Sequence, residues 1–506
     1  MKPILLLLAS ATAVVARFGP NVRVDRNYQS EYACGYCAIA LGPGAPSSPP
    51  IYVAFHGEGW LDSRTAVWFQ KSLDGGRTWL PDDLLIQRGE PWAFEPDITT
   101  DSEGNVYVEY LDEYIDTLGG RHYLITCVRS SDGGATWTTP ARIDSSSVGI
   151  GSVRIAADSA GNLLCAWNGY GSGSGLHIWS SVSTDRGATW SKKVRVDDDT
   201  TGYDCGNADV FVQPGTNHYL VVAEVPRWFE VTPHFRYCAY FYRSTDRGLT
   251  FQPGVQLDTF DWTAFSPHVI ADKDHIICDY TGTGESLSGY QNFTESRTYY
   301  SGPDTWGGPV AIHSSYYDAR LALSGDGRVH TALQMYTMGR CNAYYTSSSD
   351  HGASWSDPEL VNEDTVSTGF ADIGADSDGH AYVVWAQGPS GCFRIWFATN
   401  NPAGIAEGTS NAELRAPNSG PTVVRGVLVL GGNGDSPSER EDARYSPHFP
   451  VMSRASLLDI SGRRVMELRP GANDVRALAP GVYFIRRPET EDGRPAAAIR
   501  KIVVAR

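Results

Sequence analysis

A chain of 506 residues with a formal charge of −17 can bury a large core and divide into more than one domain, and its acidity would repel phosphate backbones and anionic lipid. With no basic stripe to offset that charge, nucleic acid is excluded as an expected partner. Fifty-three glycines, 26 tyrosines and 14 tryptophans against five methionines suit many short strands joined by tight turns.

At the N-terminus, Lys2 precedes the apolar run Ile4 to Leu8, and small residues lead to Val14 and Ala16. Residues 1–16 therefore read as a secretory signal: the run is too short to span a bilayer, and Arg17, Gly19 and Pro20 break it. No other stretch is long and apolar enough for a spanning helix, so the mature chain is expected to carry no transmembrane anchor. Residues 21–26, NVRVDRN in context, look like the outer strand KVRVDDD that follows Trp190, which predicts that this N-terminal strand completes the last repeat.

From there the chain repeats. SLDGGRTW at 72–79 recurs as SSDGGATW at 130–137, STDRGATW at 183–190, STDRGLTF at 244–251 and SSDHGASW at 348–355, with a decayed version around Asp304, Thr305 and Trp306. Each copy lies between two strand-like runs, so Asp74, Asp132, Asp185, Asp246 and Asp350 sit on hairpin turns. There a carboxylate can accept backbone N–H groups and a glycine can take positive φ. Before each copy stands a second element of strand, tight turn and strand, as in PDITTDSEGNVYVEY from Pro96 and ADIGADSDGHAYVVW from Ala371. Seven such hairpins, from near Tyr36 to Ala371 and roughly 45 to 60 residues apart, have the period of a propeller blade. The fold expected is all-β: a seven-bladed propeller, with six blades as the alternative, over 17–410, followed by a small β-sandwich over 411–506.

The repeat also serves as a ruler. Four residues before the turn aspartate stand Ala38, Asp97, Arg154, Asp209, His268, Arg320 and Asp372, each followed by an apolar residue. That alternation turns the charged position away from inter-blade packing and toward the channel, on the face opposite the boxes. Such a ring can bind and do acid–base chemistry, or its charges can pair to hold adjacent inner strands. Glu109 and Asp279 stand where other repeats carry apolar residues such as Val222 and Val384, so their carboxyls must be paired or have raised pKa values. The candidate catalytic carboxyls are thus Asp97, Asp209, Asp372, Glu109 and Asp279. Candidate ligand-binding residues are Arg154, Arg320 and His268, with Glu58, Trp60 and Trp228 on loops that reach the same face, where His56 and Glu230 also lie; aromatic faces beside carboxylates suit sugars.

Nine cysteines are too few and odd in number for a disulfide framework. Cys127, Cys165 and Cys278 lie inside apolar strand patterns. Cys341 and Cys392 begin strands in neighbouring repeats and are the preferred pair for a bridge. Cys34 and Cys37 form a lone Cys-x-x-Cys with no second half, so no metal and no cofactor is expected.

The eight-residue pattern resembles the Asp box, or BNR repeat, of the sialidase superfamily. The resemblance covers about residues 20–405 and implies that the box aspartates are structural, on the face opposite any active site. It also implies a glycoside hydrolase acting on an extracellular glycan. A retaining sialidase uses three arginines, an aspartate acid and a tyrosine–glutamate nucleophile. Here no Arg-x-Pro occurs in the propeller and only Arg154 and Arg320 hold the ring position, which leaves a non-catalytic glycan- or protein-binding propeller as the alternative. The C-terminal segment, with Ser461-Gly462-Arg463-Arg464, Leu478-Ala479-Pro480-Gly481-Val482-Tyr483 and the strand at Lys501, resembles the sorting domain of bacterial type IX secretion substrates. That resemblance implies the type IX machinery as a partner and the outer cell surface or medium as the destination.

Overall fold

The computed structural model describes residues 18–26, 34–45, 48–58, 65–89, 91–171, 175–229, 234–258, 263–286, 289–314, 316–337, 340–362, 367–388, 393–402 and, within 422–504, seven strands. The chain divides into two compact units, 1–409 and 410–506. Residues 1–16, Trp60, Glu230 and Cys392, all named above, lie outside the described residues, as do the side chain of Glu58 and the proposed Cys341–Cys392 pairing.

The first unit is a ring of seven antiparallel sheets, which resolves the blade number in favour of seven. The innermost strands of blades 1 to 7 are Cys34–Leu41, Pro91–Thr100, Ile150–Ala157, Ala208–Val212, Ala264–Ala271, Tyr316–Leu323 and Thr368–Ala375. Each is followed outward by the next strands in chain order, and blade 5 carries an additional piece, Val310–Ser314. Blade 7 takes its outermost strand from the other end of the chain: Val22 and Arg23 pair with Phe397 and Trp396. The N-terminal strand thus closes the ring and removes the sheet edge that an open propeller would expose.

Burial follows position within a blade. Second strands are covered on both faces by neighbouring blades, so Ala381–Gln387 is buried at every residue, and these strands read as apolar runs rather than alternating ones. Fourth strands face solvent: no residue of Leu84–Arg88 is buried. Each junction has its own apolar core. Val53 and Phe55 of blade 1 pack with Val384 and Phe397 of blade 7, and Leu220 and Val222 of blade 4 pack with Val269 and Cys278 of blade 5. Cys127, Cys165 and Cys278 are buried in these junctions.

The boxes form one closed network repeated around the ring. In the first, Ser72 Oγ donates to Asp74 Oδ1 at 2.7 Å and accepts from Gly76 N at 2.8 Å. Thr78 N and Oγ1 donate to the two Asp74 oxygens at 2.9 and 2.6 Å. Asp132, Asp185, Asp246 and Asp350 repeat the hydroxyl bond at 2.6 Å. Gly76 and Gly134 sit at φ 96° and 84°, and a Cβ on either would stand 2.2 or 2.3 Å from Phe397 or Phe69 of the preceding blade. The box tryptophans lie edge-on to those same rings: Trp79 on Phe397 at 5.3 Å and Trp137 on Phe69 at 5.1 Å. In the decayed repeat Trp306 does likewise, 5.0 Å from Phe241.

The second unit is all-β as well. Its described strands make a five-stranded sheet, in which Thr422–Val424 runs parallel to Arg500–Val504, and a two-stranded sheet of Val427–Leu430 with Gly471–Asp474. No described helix of the chain is long and apolar enough to cross a membrane.

Candidate functional site

The seven inner strands surround a channel of about 210 Å³, lined at one level by Ala38, Asp97, Arg154, Asp209, His268, Arg320 and Asp372. The three ring aspartates reach sideways to backbone. Asp97 accepts from Ile155 N of the next blade at 3.0 Å and from its own neighbour Ile98 N at 2.9 Å. Asp209 accepts from Val269 N at 3.0 Å, and Asp372 accepts from Ile39 N and Ile373 N, both at 2.9 Å. These carboxylates therefore bridge blades 2 to 3, 4 to 5 and 7 to 1. Burial raises the Asp372 carboxyl to about 6 even though Arg320 and the Ile39 N–H oppose it; burial likewise raises Asp209 against the pull of Arg320 and Arg154.

Glu109 and Asp279 are paired across the hairpin with ring residues, Glu109 opposite Asp97 and Asp279 opposite His268. His268 Nδ1 lies 3.1 Å from Asp279 Oδ1. Burial, with Arg320 and Arg154 adding to it, pushes the imidazole well below its ordinary range. Glu109 is fully buried, and among the described residues neither of its oxygens has a hydrogen-bond partner. Burial and then the Asp97 charge push its carboxyl well up, so it is held as the neutral acid, out of reach of solvent.

Just above the ring the inner strands break register. The ladder slips between Phe94 and Asp97, Gly151 and Arg154, Phe265 and His268, and Gly369 and Ala371. Two residues before the ring position, Glu95, Ser152, Ser266 and Phe370 take φ of 49°, 52°, 47° and 48°. These bulges re-aim side chains and turn backbone N–H groups out of their own ladders. A polar residue on the second strand of the preceding blade meets several of them. His56 Nδ1 accepts from Glu95 N at 3.2 Å, and Glu224 Oε1 accepts from Ser266 N at 2.7 Å. Gln334, its amide oxygen assigned toward them, accepts from Phe370 N and Ala371 N at 2.8 and 3.1 Å. Glu95 Oε2 takes the remaining one, Ser152 N, at 3.3 Å.

The mouth of the channel is therefore built from residues that the ruler passes over. Tyr36 stacks on Phe370 at 4.1 Å and lies 6.0 Å from His56. Burial lowers His56 to about 4; the ring is neutral, and because Nδ1 is the acceptor its proton sits on Nε2. Burial raises the Glu95 carboxyl, although the Arg154 charge and the Ser152 N–H draw it down. Arg154, partly exposed, donates to Val153 O at 2.7 Å, and among the described residues no carboxylate lies within ion-pair distance of it. On the same face Trp228 and Tyr203 are about half exposed (49 and 51%), and both pack on Phe235, at 4.8 and 3.7 Å. Sequence reasoning found Trp228 and Arg154 but not Glu95, Tyr36 or Tyr203. Reading two residues upstream of each ring position would have exposed the first two.

The chain is similar to an ulvan lyase of polysaccharide lyase family 25 (TM-score 0.50, 10% identity, covering 75% of this chain and 94% of that one). It is also similar to the Penicillium chrysogenum α-L-arabinanase complexed with arabinobiose (0.44, 14%, 76% and 98%) and to the Trypanosoma rangeli sialidase (0.40, 11%, 75% and 60%). At these identities the likeness is one of fold. No protein of curated function matches the chain. The model of the BNR repeat-like domain matches residues 161–430, from the inner turn of blade 3 past the end of the ring, and the two boxes at 72–79 and 130–137, which lie before that span, make the same network of bonds. The chain belongs to the BNR repeat-like domain family.

Proposed function

We propose that the protein is an exported propeller that cleaves glycosidic bonds of an extracellular glycan carrying anionic groups, with Glu95 as proton donor and Arg154 as the anchor for the anion. One observation carries the reading: at the channel mouth a carboxyl with a raised pKa stands beside a guanidinium that, among the described residues, has no carboxylate within ion-pair distance. A carboxyl whose pKa is raised by burial can hold the proton that a leaving oxygen takes. An arginine with no carboxylate in ion-pair distance among the described residues, in a chain of charge −17, favours a ligand with a carboxylate or sulfate. The aromatic platform of Trp228, Phe235 and Tyr203 offers apolar surface to sugar rings. The ulvan lyase that shares the fold acts on a polysaccharide, which supports the substrate class. Export by the signal at 1–16 and type IX sorting by 411–506 belong to the same proposal.

The binding-only alternative is favoured by a different observation. The ring carboxylates Asp97, Asp209 and Asp372 are all engaged with backbone N–H groups, which leaves few acids free to act as a second catalytic group. A screen of acidic and neutral polysaccharides for new reducing ends, and for new absorbance from unsaturated ends, separates the two readings. Cleavage by the wild type that Glu95→Gln lowers at least a hundredfold, with substrate binding retained, supports the enzyme. Binding without cleavage by the wild type selects the alternative.

A further inference from the structure

Ala54, Glu109, Val222 and Ala332 lie opposite the ring positions Ala38, Asp97, Asp209 and Arg320. Two residues further along the same second strands stand His56, Leu111, Glu224 and Gln334. Three of these four accept a bulge N–H of the next blade: His56 Nδ1 from Glu95 N at 3.2 Å, Glu224 Oε1 from Ser266 N at 2.7 Å, and the Gln334 amide oxygen from Phe370 N at 2.8 Å. The donors sit at φ of 49°, 47° and 48°, a strained conformation for residues other than glycine. An N–H turned out of its ladder and left without a partner would add the cost of a stranded donor, so the acceptor is what holds each bulge. Leu111 has no atom to offer, and the N–H that it leaves, that of Ser152, is taken by Glu95 Oε2 at 3.3 Å. Glu95 is thus held at both ends, its backbone by His56 and its carboxyl by Ser152. The carbonyl oxygen of a neutral carboxyl is the better acceptor, which puts the Glu95 proton on Oε1.

We propose that His56 is a positioning residue: by taking the Glu95 N–H it sets the bulge that directs the Glu95 side chain to the channel mouth and keeps its carboxyl buried beside Arg154. This role, which rests on the reading of Glu95 as proton donor, needs a neutral acceptor. Burial lowers the imidazole to about 4, so Nδ1 keeps its lone pair across the neutral range. His56 meets the backbone of Glu95 and not the reacting atoms, and its loss should move the carboxyl without disturbing Arg154 or the Trp228 platform. The charged and titratable groups that act on the Glu95 carboxyl, Arg154 and Glu109, are unchanged by substitution at position 56.

The other blades supply the controls. His56→Gln copies Gln334 of blade 6, His56→Asn puts an amide oxygen where Nδ1 stands, and His56→Leu copies Leu111 of blade 2, which cannot accept. In full-length protein labelled at the glutamate carboxyl carbons, the Glu95 signal is assigned by its loss in Glu95→Gln and titrated by NMR, and the His56 tautomer is read from its ring ¹⁵N shifts. On a polysaccharide that the wild type cleaves, kcat and KM are measured for each variant. The expected result is a bare, accepting Nδ1 with the proton on Nε2, and a Glu95 that titrates above the ordinary carboxylate value in wild type and in a folded amide variant. In His56→Leu that carboxyl should return toward its ordinary value, and kcat should fall by about ten- to a hundredfold with KM little changed, as a misplaced reacting group does. If the wild type cleaves nothing, the hydrolase reading fails, while the titration and the tautomer still decide the role of His56. A proton on His56 Nδ1, a Glu95 that titrates alike in wild type and His56→Leu, or folded amide variants that titrate no differently from His56→Leu overturn the proposal; the tautomer decides it even where the variants do not fold.

Discussion

Two kinds of aspartate stabilise this ring, and they answer pH in opposite ways. Thr250 above all holds the Asp246 carboxyl at about 2, against an ordinary 3.8. Its contribution is full above the ordinary value and is lost as pH falls through about 2. Asp372, raised to about 6, binds its proton more tightly folded than unfolded, so its contribution is full below about 4 and is lost as pH rises to about 6. Glu95, Glu109 and Asp209 are shifted the same way by burial. The buried imidazoles of His56, lowered to about 4, and His268, lowered well below its ordinary value, act oppositely, their contribution growing as pH rises from about 4 to 6.5. The Asp372 share is therefore read as a difference: in thermal denaturation the deficit of Asp372→Asn against wild type should shrink as pH rises from 4 to 6. Asp97→Ala should cost about 2–5 kcal/mol by stranding the amides of Ile98 and Ile155, measured by denaturant unfolding. If Asp97 acts only as a bridge, the cleavage or binding that remains below the melting temperature should be unchanged. Ser72→Ala removes a donor from Asp74 and an acceptor from Gly76 N, and should cost about 1–3 kcal/mol.

At the scale of elements, the turn of each box is coupled to the blade before it. Gly76→Ala would drive a Cβ into Phe397 and impose a positive φ that alanine resists. The expected loss is at least about 2–3 kcal/mol, seen as a lower Tm, whereas Ala at Gly119, which also has positive φ but open space around it, should cost less. The boxes were legible in the sequence because each is a local device: a hydroxyl, a carboxylate and a glycine within eight residues dictate their own turn. The bulges at Glu95, Ser152, Ser266 and Phe370 were not. A bulge is a slip between two strands, and no residue type forces it at a non-glycine position. For the same reason the ring position was legible and its task was not: the ruler marks Asp97, Asp209 and Asp372, but their partners are main-chain amides one blade away, which leave no trace in side-chain identity.

At the scale of the whole molecule, the period of the repeats announced the ring, and the similarity of residues 21–26 to an outer strand announced its closure. Removing residues 1–26 should open it. The loss of the pairing of Val22 and Arg23 with blade 7, and of Val24 from the core between blades 7 and 1, would bare the strand Arg394–Thr399. The expected outcome is a monomer–aggregate mixture by size-exclusion chromatography and faster proteolysis in blade 7, with the full chain monodisperse. The same closure governs when the protein can fold at all. Val22 must wait for Phe397, so the last pairing spans nearly the entire ring and pays the entropy of a very long loop. During synthesis the first blades can assemble one after another, yet the lock arrives only when the seventh has emerged. Up to that moment the growing chain is an incomplete arc with two unpaired ends, a state that only the finished ring abolishes.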